Sequence, residues 1–469
     1  MVQLNRPYNP TQLVPLRRFL ASLPKGFVAL LLSGLLSSGT LAAPVPSHAK
    51  GGLAALSPSL AEGGLAAVPS EQPYKRSALL KKYRTAMKEK NYMTAWQLLH
   101  DAALQHEAAA NDPQLAKYQV DALNEQIGVE NRKIYLNTKP DTAAYFSYIH
   151  RLTLTGLHAD SLEQAALDVR RAQGKKATPQ LRPALAQTLL SYRKNLVGAG
   201  KYYYRKKDYS QAYTFFHLYL DTKASPLFID SKGNSLLADP DDLTDISVLA
   251  TLAAYGMNNH EGVMTHLTES LQDKNLESQL LEVGAKSAAA LGDTIEALRL
   301  LENGFFSYPS TEYFFITLTR YYNDHRQYDK ALQKALRMTE LQPKKRDYWY
   351  MAGKEQTLLT NYEDALRSFA QCILLQADDA ESYAAIGNIY LHQAHEAYAQ
   401  FDLPLTDPRY PEQKKHITDL YRQSCQAFEN ARKYGENTPD LWLTGLRETY
   451  FKLNKGKELK KLERTHPSR

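Results

Sequence analysis

Residues 349–365 read Trp-Tyr-Met-Ala-Gly-Lys-Glu-Gln-Thr-Leu-Leu-Thr-Asn-Tyr-Glu-Asp-Ala. A large aromatic leads to the small pair Ala352-Gly353, a short polar break at Thr360-Asn361 follows, and Tyr362 and Ala365 open a second apolar stripe. Apolar positions three and four apart on both sides of the break describe two amphipathic helices joined by a tight turn. The same pattern lies 34 residues upstream, as Phe315, Leu318-Thr319, Tyr322, Arg326, Tyr328 and Ala331. A further 34 residues back it reads Leu281, Gly284-Ala285, Ala288, Gly292, Thr294 and Ala297. Downstream it continues as Tyr383, Ile386-Gly387 and Tyr390. The register then breaks, and Tyr421, Ser424, Phe428 and Ala431 resume it after an insertion of 25 residues. Trp442 opens one more helix.

With Leu281 as the fourth position, small residues recur at the eighth and twentieth and large ones at the fourth, eleventh, seventeenth and twenty-fourth. Small residues let the two helices approach, and the large ones fill the remaining volume. The spacing resembles the tetratricopeptide repeat, whose W-x2-L-G-x2-Y…A-x3-F…P consensus also has a period of about 34 residues. Upstream, Leu196, Ala199-Gly200, Tyr203, Tyr209, Ala212 and Phe216 fit the template. Ala250, Ala254, Val263 and Leu267 fit it more loosely, and Tyr92, Ala95 and Leu99 mark an early hairpin at 77–104. Residues 113–190 read as helical but out of register, with Pro140, Pro179 and Pro183 near helix starts. No strand alternation of any length appears, so the fold class expected is all-α, an α-solenoid.

The region from about 80 to the end also resembles a family of exported tetratricopeptide proteins from Bacteroidetes. The resemblance rests on Asp141-Thr142-Ala143-Ala144-Tyr145-Phe146, Tyr192-Arg193-Lys194-Asn195-Leu196, Gly200 to Tyr209, Ala212-Tyr213-Thr214-Phe215-Phe216 and Ser225-Pro226-Leu227-Phe228. It implies fold and export and names no activity.

The first residues read differently. Arg17, Arg18 and Lys25 precede the apolar run 26–42, and Ser47-His48-Ala49 supplies a small-residue exit, which is the layout of a secretory signal. Cleavage after Ala49 or Ala42 fits. Residues 50–73 repeat Gly-Gly-Leu-Ala-Ala at 51 and 63 between prolines and read as a flexible tether. The expected organisation is a signal over 1–49, a tether over 50–73, a helical region over 74–190 with one repeat-like hairpin, and a repeat array over 191–469. The array carries an insertion near 396–415 and a capping helix at its C-terminal end. The location expected is the periplasm or cell envelope, or the medium.

Composition narrows the chemistry. Among 469 residues, Lys and Arg number 57 against 50 Asp and Glu, mostly interleaved, so the net charge of +7 makes no case for nucleic acid. The two cysteines rule out a disulfide framework. Cys372 and Cys425 lie on helices close enough in register to pair or to pack separately. No P-loop, G-x-G-x-x-G or G-x-S-x-G occurs, and His392-Gln393-Ala394-His395-Glu396 lacks the order of a zincin. Asp239, Asp241 and Asp242 lack the spaced ligands of a calcium loop. No catalytic residue, metal or cofactor is expected.

The patterned polar feature is the ninth position of the repeats: Lys201, Leu252, Lys286, Arg320, Lys354 and Asn388. The tetratricopeptide resemblance implies that this column points into a concave groove, where Lys, Arg and Asn hold the carboxylate of an extended peptide. Tyr313, Tyr350, Tyr204 and Asn323 would flank it. The expected partner is therefore a peptide or protein. Lys455, Lys457, Lys460, Lys461 and Arg464 among Leu453, Leu459 and Leu462 give a basic amphipathic helix, either the polar face of a cap or the one route to membrane contact. The alternative to a non-enzymatic scaffold is a carbohydrate-binding or catalytic site in 113–190, where Tyr145, Tyr148 and His150 cluster.

Overall fold

The computed structural model describes residues 74–136, 138–230, 232–237 and 243–467. Residues 1–73, expected to be a signal and a tether, and the acids Asp239, Asp241 and Asp242 lie outside the described residues. The chain is an all-α solenoid in two compact units, one ending at Glu277 and one running from Ser278.

In the first unit, α1 (Arg76–Lys88) and α2 (Tyr92–Gln105) form the early hairpin, followed by the short α3 (Glu107–Ala110). Three long helices come next: α4 (Pro113–Tyr135), α5 (Thr142–Ala172) and α6 (Arg182–Arg205). The out-of-register stretch thus consists of helices too long for the repeat. Buried charges hold α5 and α6 together. The Glu163 carboxylate accepts the backbone N–H groups of Gln180, Leu181 and Arg182 at 2.7, 2.8 and 3.0 Å, capping the positive end of α6 from the neighbouring helix. Asp160 takes the Arg182 guanidinium in a two-point bond at 2.8 and 2.9 Å. Helices α6 and α7 (Tyr209–Asp221) form one hairpin, and α8 (Leu243–Gly256) and α9 (His260–Ser270) the next. Arg193 lies buried with its guanidinium 3.8 Å over the Tyr219 ring and donates to Thr222 Oγ1 and the Tyr219 carbonyl. Leu227 and Phe228 are buried behind it. Much of the Tyr192–Leu196 and Ser225–Phe228 resemblance is therefore core.

The second unit holds α10 (Glu277–Ala290), α11 (Thr294–Ser307), α12 (Glu312–Asp324), α13 (Tyr328–Leu341), α14 (Arg346–Leu358), α15 (Tyr362–Leu375), α16 (Ala380–Ala399) and α17 (Tyr410–Tyr434). It closes with α18 (Leu443–Lys452) and α19 (Gly456–Thr465). The second helix of the hairpin starts at 294, 328 and 362, in the register read from the sequence.

One contact recurs inside the hairpins. Gly200, Gly353 and Gly387, at the eighth position, lie under Phe216, Phe369 and Phe428 at the twenty-fourth. A Cβ on each glycine would meet the ring at 2.4, 2.8 and 2.9 Å, which no side chain tolerates without displacement. Elsewhere the two positions hold Ala285 and Leu301, Thr251 and Leu267, or Thr319 and Ala335, with a larger residue than glycine at the eighth and a smaller one than phenylalanine at the twenty-fourth. All six of these residues are buried.

The turns recur as well. Lys90, Lys207, Asn258, Gly292, Arg326, Thr360 and Asn454 all have φ between 55° and 79°. Each donates its N–H to the carbonyl three residues back, and the next residue donates to the carbonyl five back, as Arg326 to Asn323 and Gln327 to Tyr322 at 3.0 and 2.8 Å. This is the Schellman closure of a helix. Asp208, Asn259 and Asp293 then cap the following helix through their side-chain oxygens.

The insertion works by suppressing this turn. Ala394, at the corresponding position, stays helical; α16 extends to 20 residues and α17 to 25, against 13 or 14 in the three preceding hairpins. Phe401 and Tyr410, with ring centroids 5.0 Å apart, close the lengthened tip, and Arg409 grips Asp407 beside them. At the far end, Leu462 of α19 is fully buried while Lys457, Lys460, Lys461 and Arg464 are exposed. The apolar side of this basic helix is therefore occupied as a cap. No described helix is long and apolar enough to cross a membrane. Cys372 and Cys425 are both free and buried.

Two substitutions separate contact from turn. Gly353→Val drives a branched side chain into Phe369 and should lower stability by about 1–3 kcal/mol. Thr360→Gly relieves a β-branched residue from the left-handed region and should raise it by about 0.5–1 kcal/mol. Urea unfolding followed by circular dichroism measures both.

Candidate functional site

The ninth position follows the buried eighth, about 100° further round the helix, so it faces away from the hairpin interior. In the second unit this places Lys286 on α10, Arg320 on α12, Lys354 on α14 and Asn388 on α16. Arg320, Lys354 and Asn388 are exposed, and Lys286 is half-buried. Among the described residues, Arg320 and Lys354 make no ion pair, whereas Lys286 bonds the Glu282 carboxylate at 2.7 Å and lies 4.8 Å over the Tyr313 ring. Lys201 is half-buried on α6, in the first unit.

Neighbouring first helices are tied directly across this face. Asn323 of α12 donates from Nδ2 to Glu355 Oε1 of α14 at 2.8 Å. Lys345 bonds the Glu312 carboxylate. Arg346 bonds Asp379 at 2.7 and 2.5 Å and Glu381 at 2.7 Å, and its guanidinium sits 4.4 Å over the Tyr350 ring. Tyr350 is thereby fixed between Arg346 and, edge-on, Phe369. Burial alone would raise the Asp379 carboxyl; its bonds to Arg346 and Ser382 outweigh burial and hold it below the usual carboxylate range.

Two expectations need correction. Tyr204 does not flank the column: it is buried, edge-on to Tyr209, because the ring turns into the hairpin behind the close approach of Gly200. Asn323 is half-buried, its Oδ1 is enclosed and its Nδ2 already serves Glu355, so its amide does not face a groove as expected. Ile316, exposed on α12, was passed over. It falls three residues after Tyr313 and four before Arg320, so the three share one stripe, and that spacing is the signal that finds it.

In the region of the alternative reading, Tyr145 is buried and its hydroxyl accepts from Asn195 Nδ2 at 2.9 Å. His150 packs edge-on to Phe215. The cleft lined by His100, Leu104, Ala116, Gln119, Leu154 and His158 has no carboxylate in its wall. Glycoside hydrolysis needs a pair.

Paired helices, a 34-residue spacing and small-against-large contacts between the eighth and twenty-fourth positions define an α-solenoid of tetratricopeptide type. No protein-family model matches the chain, and no curated protein is found to match it. Among solved structures it is similar to a TPR repeats protein from Bacteroides fragilis at 10% identity, TM-score 0.28, covering 55% of this chain and 97% of that one. A tetratricopeptide repeat protein from Parabacteroides merdae matches at 14% identity, TM-score 0.28, over 55% of this chain and 99% of that one. The C-terminal part of a TPR repeat-containing protein from Cytophaga hutchinsonii matches at 11% identity, TM-score 0.30, over 54% and 92%.

Glu355 gives the face a pH dependence. Burial pushes its carboxyl above the usual range, and the Asn323 bond and Lys354 only partly oppose this. A carboxyl raised on folding stabilises the fold when protonated. Its contribution is complete below the normal glutamate pKa and is lost as pH rises through the folded value. Glu355→Gln keeps the shape without the charge, so stability measured from acid to neutral pH should fall less steeply in the variant than in the parent.

Proposed function

We propose that the chain is a non-enzymatic scaffold of the cell envelope that holds the carboxylate of an extended peptide or protein segment on the first-helix face of its second unit. The observation that carries this reading is the pair Arg320 and Lys354. They are exposed at the same position of successive hairpins, lack an ion partner among the described residues and are flanked by Tyr313, Ile316 and Tyr350. Two cations one hairpin apart, on helices tied by the Asn323–Glu355 bond, give a carboxylate two charge-assisted donors without rearrangement of the backbone. Asn388 supplies a neutral donor on the next helix, and the tyrosines offer rigid surface with a polar tip. Lys286, engaged by Glu282, contributes through Tyr313 and less through its own charge. A stable complex needs roughly 1,000 Å² or more of contact, so the partner runs across several hairpins. The reading of residues 1–49 as a signal supports export and a partner outside the cytoplasm.

The test is selection from a random peptide library displayed with free C-termini. Each donor to a carboxylate contributes about 1.5–3 kcal/mol, or about 10–150-fold in affinity. Selected peptides should weaken by that order when their C-terminus is amidated, and again in the Arg320→Ala/Lys354→Ala variant. Unchanged binding in both arms would remove the proposal.

A further inference from the structure

His217 on α7 and His266 on α9 lie 49 residues apart in the chain and meet inside the first unit, with His217 Nδ1 3.0 Å from His266 Nε2. The other ring nitrogen of His217, Nε2, lies 3.2 Å from Asp221 Oδ2, one helical turn on. Tyr213 stacks on His217, ring centroids 5.2 Å apart and planes within 8°, and meets His266 edge-on at 5.9 Å. His266 is buried and His217 half-exposed, so the point between the two nitrogens sits at the border of solvent.

We propose that His217 Nδ1 and His266 Nε2 form a bis-imidazole site for a divalent first-row metal ion of tetragonal preference, copper(II) above all. The Asp221 carboxylate accepts the Nε2 proton of His217 and so selects the tautomer that leaves a lone pair on Nδ1, the nitrogen beside His266. A carboxylate behind a ligating imidazole is the usual outer support of a histidine metal site, fixing both ring orientation and basicity. Tyr213 holds the same ring from its face.

Ligand type and spacing together point to the class of ion. Metal–imidazole bonds run about 2.0–2.1 Å, so a tetrahedral ion would need the two nitrogens roughly 3.3 Å apart. At 3.0 Å the two bonds subtend close to a right angle, the cis angle of tetragonal coordination. Tetragonal nitrogen sites suit copper(II) and nickel(II), and copper(II) stands highest in affinity among the divalent first-row ions. Among the described residues no group of three or more His, Cys, Asp or Glu is placed to hold an ion. The site therefore has two protein ligands, and its remaining positions are open to water or to a group of a bound molecule. Without an ion the two rings are joined by an N–H···N hydrogen bond, which binding would replace.

The experiment uses the full chain without a polyhistidine tag and copper(II) alone, followed by calorimetry and electron paramagnetic resonance. The proposal expects one saturable ion per chain and a signal with hyperfine structure from two imidazole nitrogens. His217→Gln, on the half-exposed ring, and His266→Gln should each abolish both. Asp221→Asn should keep the two-nitrogen signal and weaken binding by about 10–100-fold. Circular dichroism confirms that each variant is folded; if His266→Gln is not, His217→Gln decides alone. No stoichiometric ion in the parent would overturn the site and leave a hydrogen-bonded pair. Equal binding in parent and His217→Gln would overturn it too, placing the ion on surface histidines such as His392 and His395.

Discussion

The structure depends on one contact, the approach of the eighth position on the first helix of a hairpin to the twenty-fourth on the second. Three hairpins make it with glycine under phenylalanine, and in three others both positions are buried with other pairs of residues. A packed interior transmits any change in one partner to the other. The separation of the paired helices, and hence the spacing of successive hairpins within a unit, is therefore set by the sum of two side-chain volumes. The ninth residue inherits its exposure from this arrangement: because the eighth is locked inward, the next must point out. The buried contact and the exposed column are two aspects of one register.

The turn is the second constraint, and its chemistry is in the backbone. Among the described residues, seven turns inside hairpins place a residue in the left-handed region, and of those seven only Gly292 is glycine. Six residues with ordinary side chains accept an unfavourable conformation because the closure satisfies carbonyls at the end of one helix and aligns the next. Where the turn is absent, at Ala394, the helices run on and the insertion becomes a longer hairpin.

The repeat was legible because its signal is a sum over many positions, so one departure such as Thr319 leaves it readable. The all-α fold and the 34-residue register, with second helices starting at 294, 328 and 362, followed from the sequence. The site was legible only in outline. Register places Arg320, Lys354 and Asn388 on one face, but it cannot reveal that Glu355 is buried and occupies Asn323, or that Tyr204 turns inward. Those outcomes depend on contacts between helices that the period does not encode. The 3.0 Å meeting of His217 and His266 depends on them too, as does the capping of α6 by Glu163, since neither pair falls within one helix and neither matches a motif spacing.

In the proposed function, charge on the first-helix face of the second unit selects the partner. Charge reversal tests it most directly: the Arg320→Glu/Lys354→Glu variant and the parent, both verified as folded, are put through the same peptide-library selection. The expected outcome is a switch from peptides with a free carboxylate at the contact to peptides carrying lysine or arginine there. Recovery of the same peptides by both proteins would contradict it and move the binding surface away from this face.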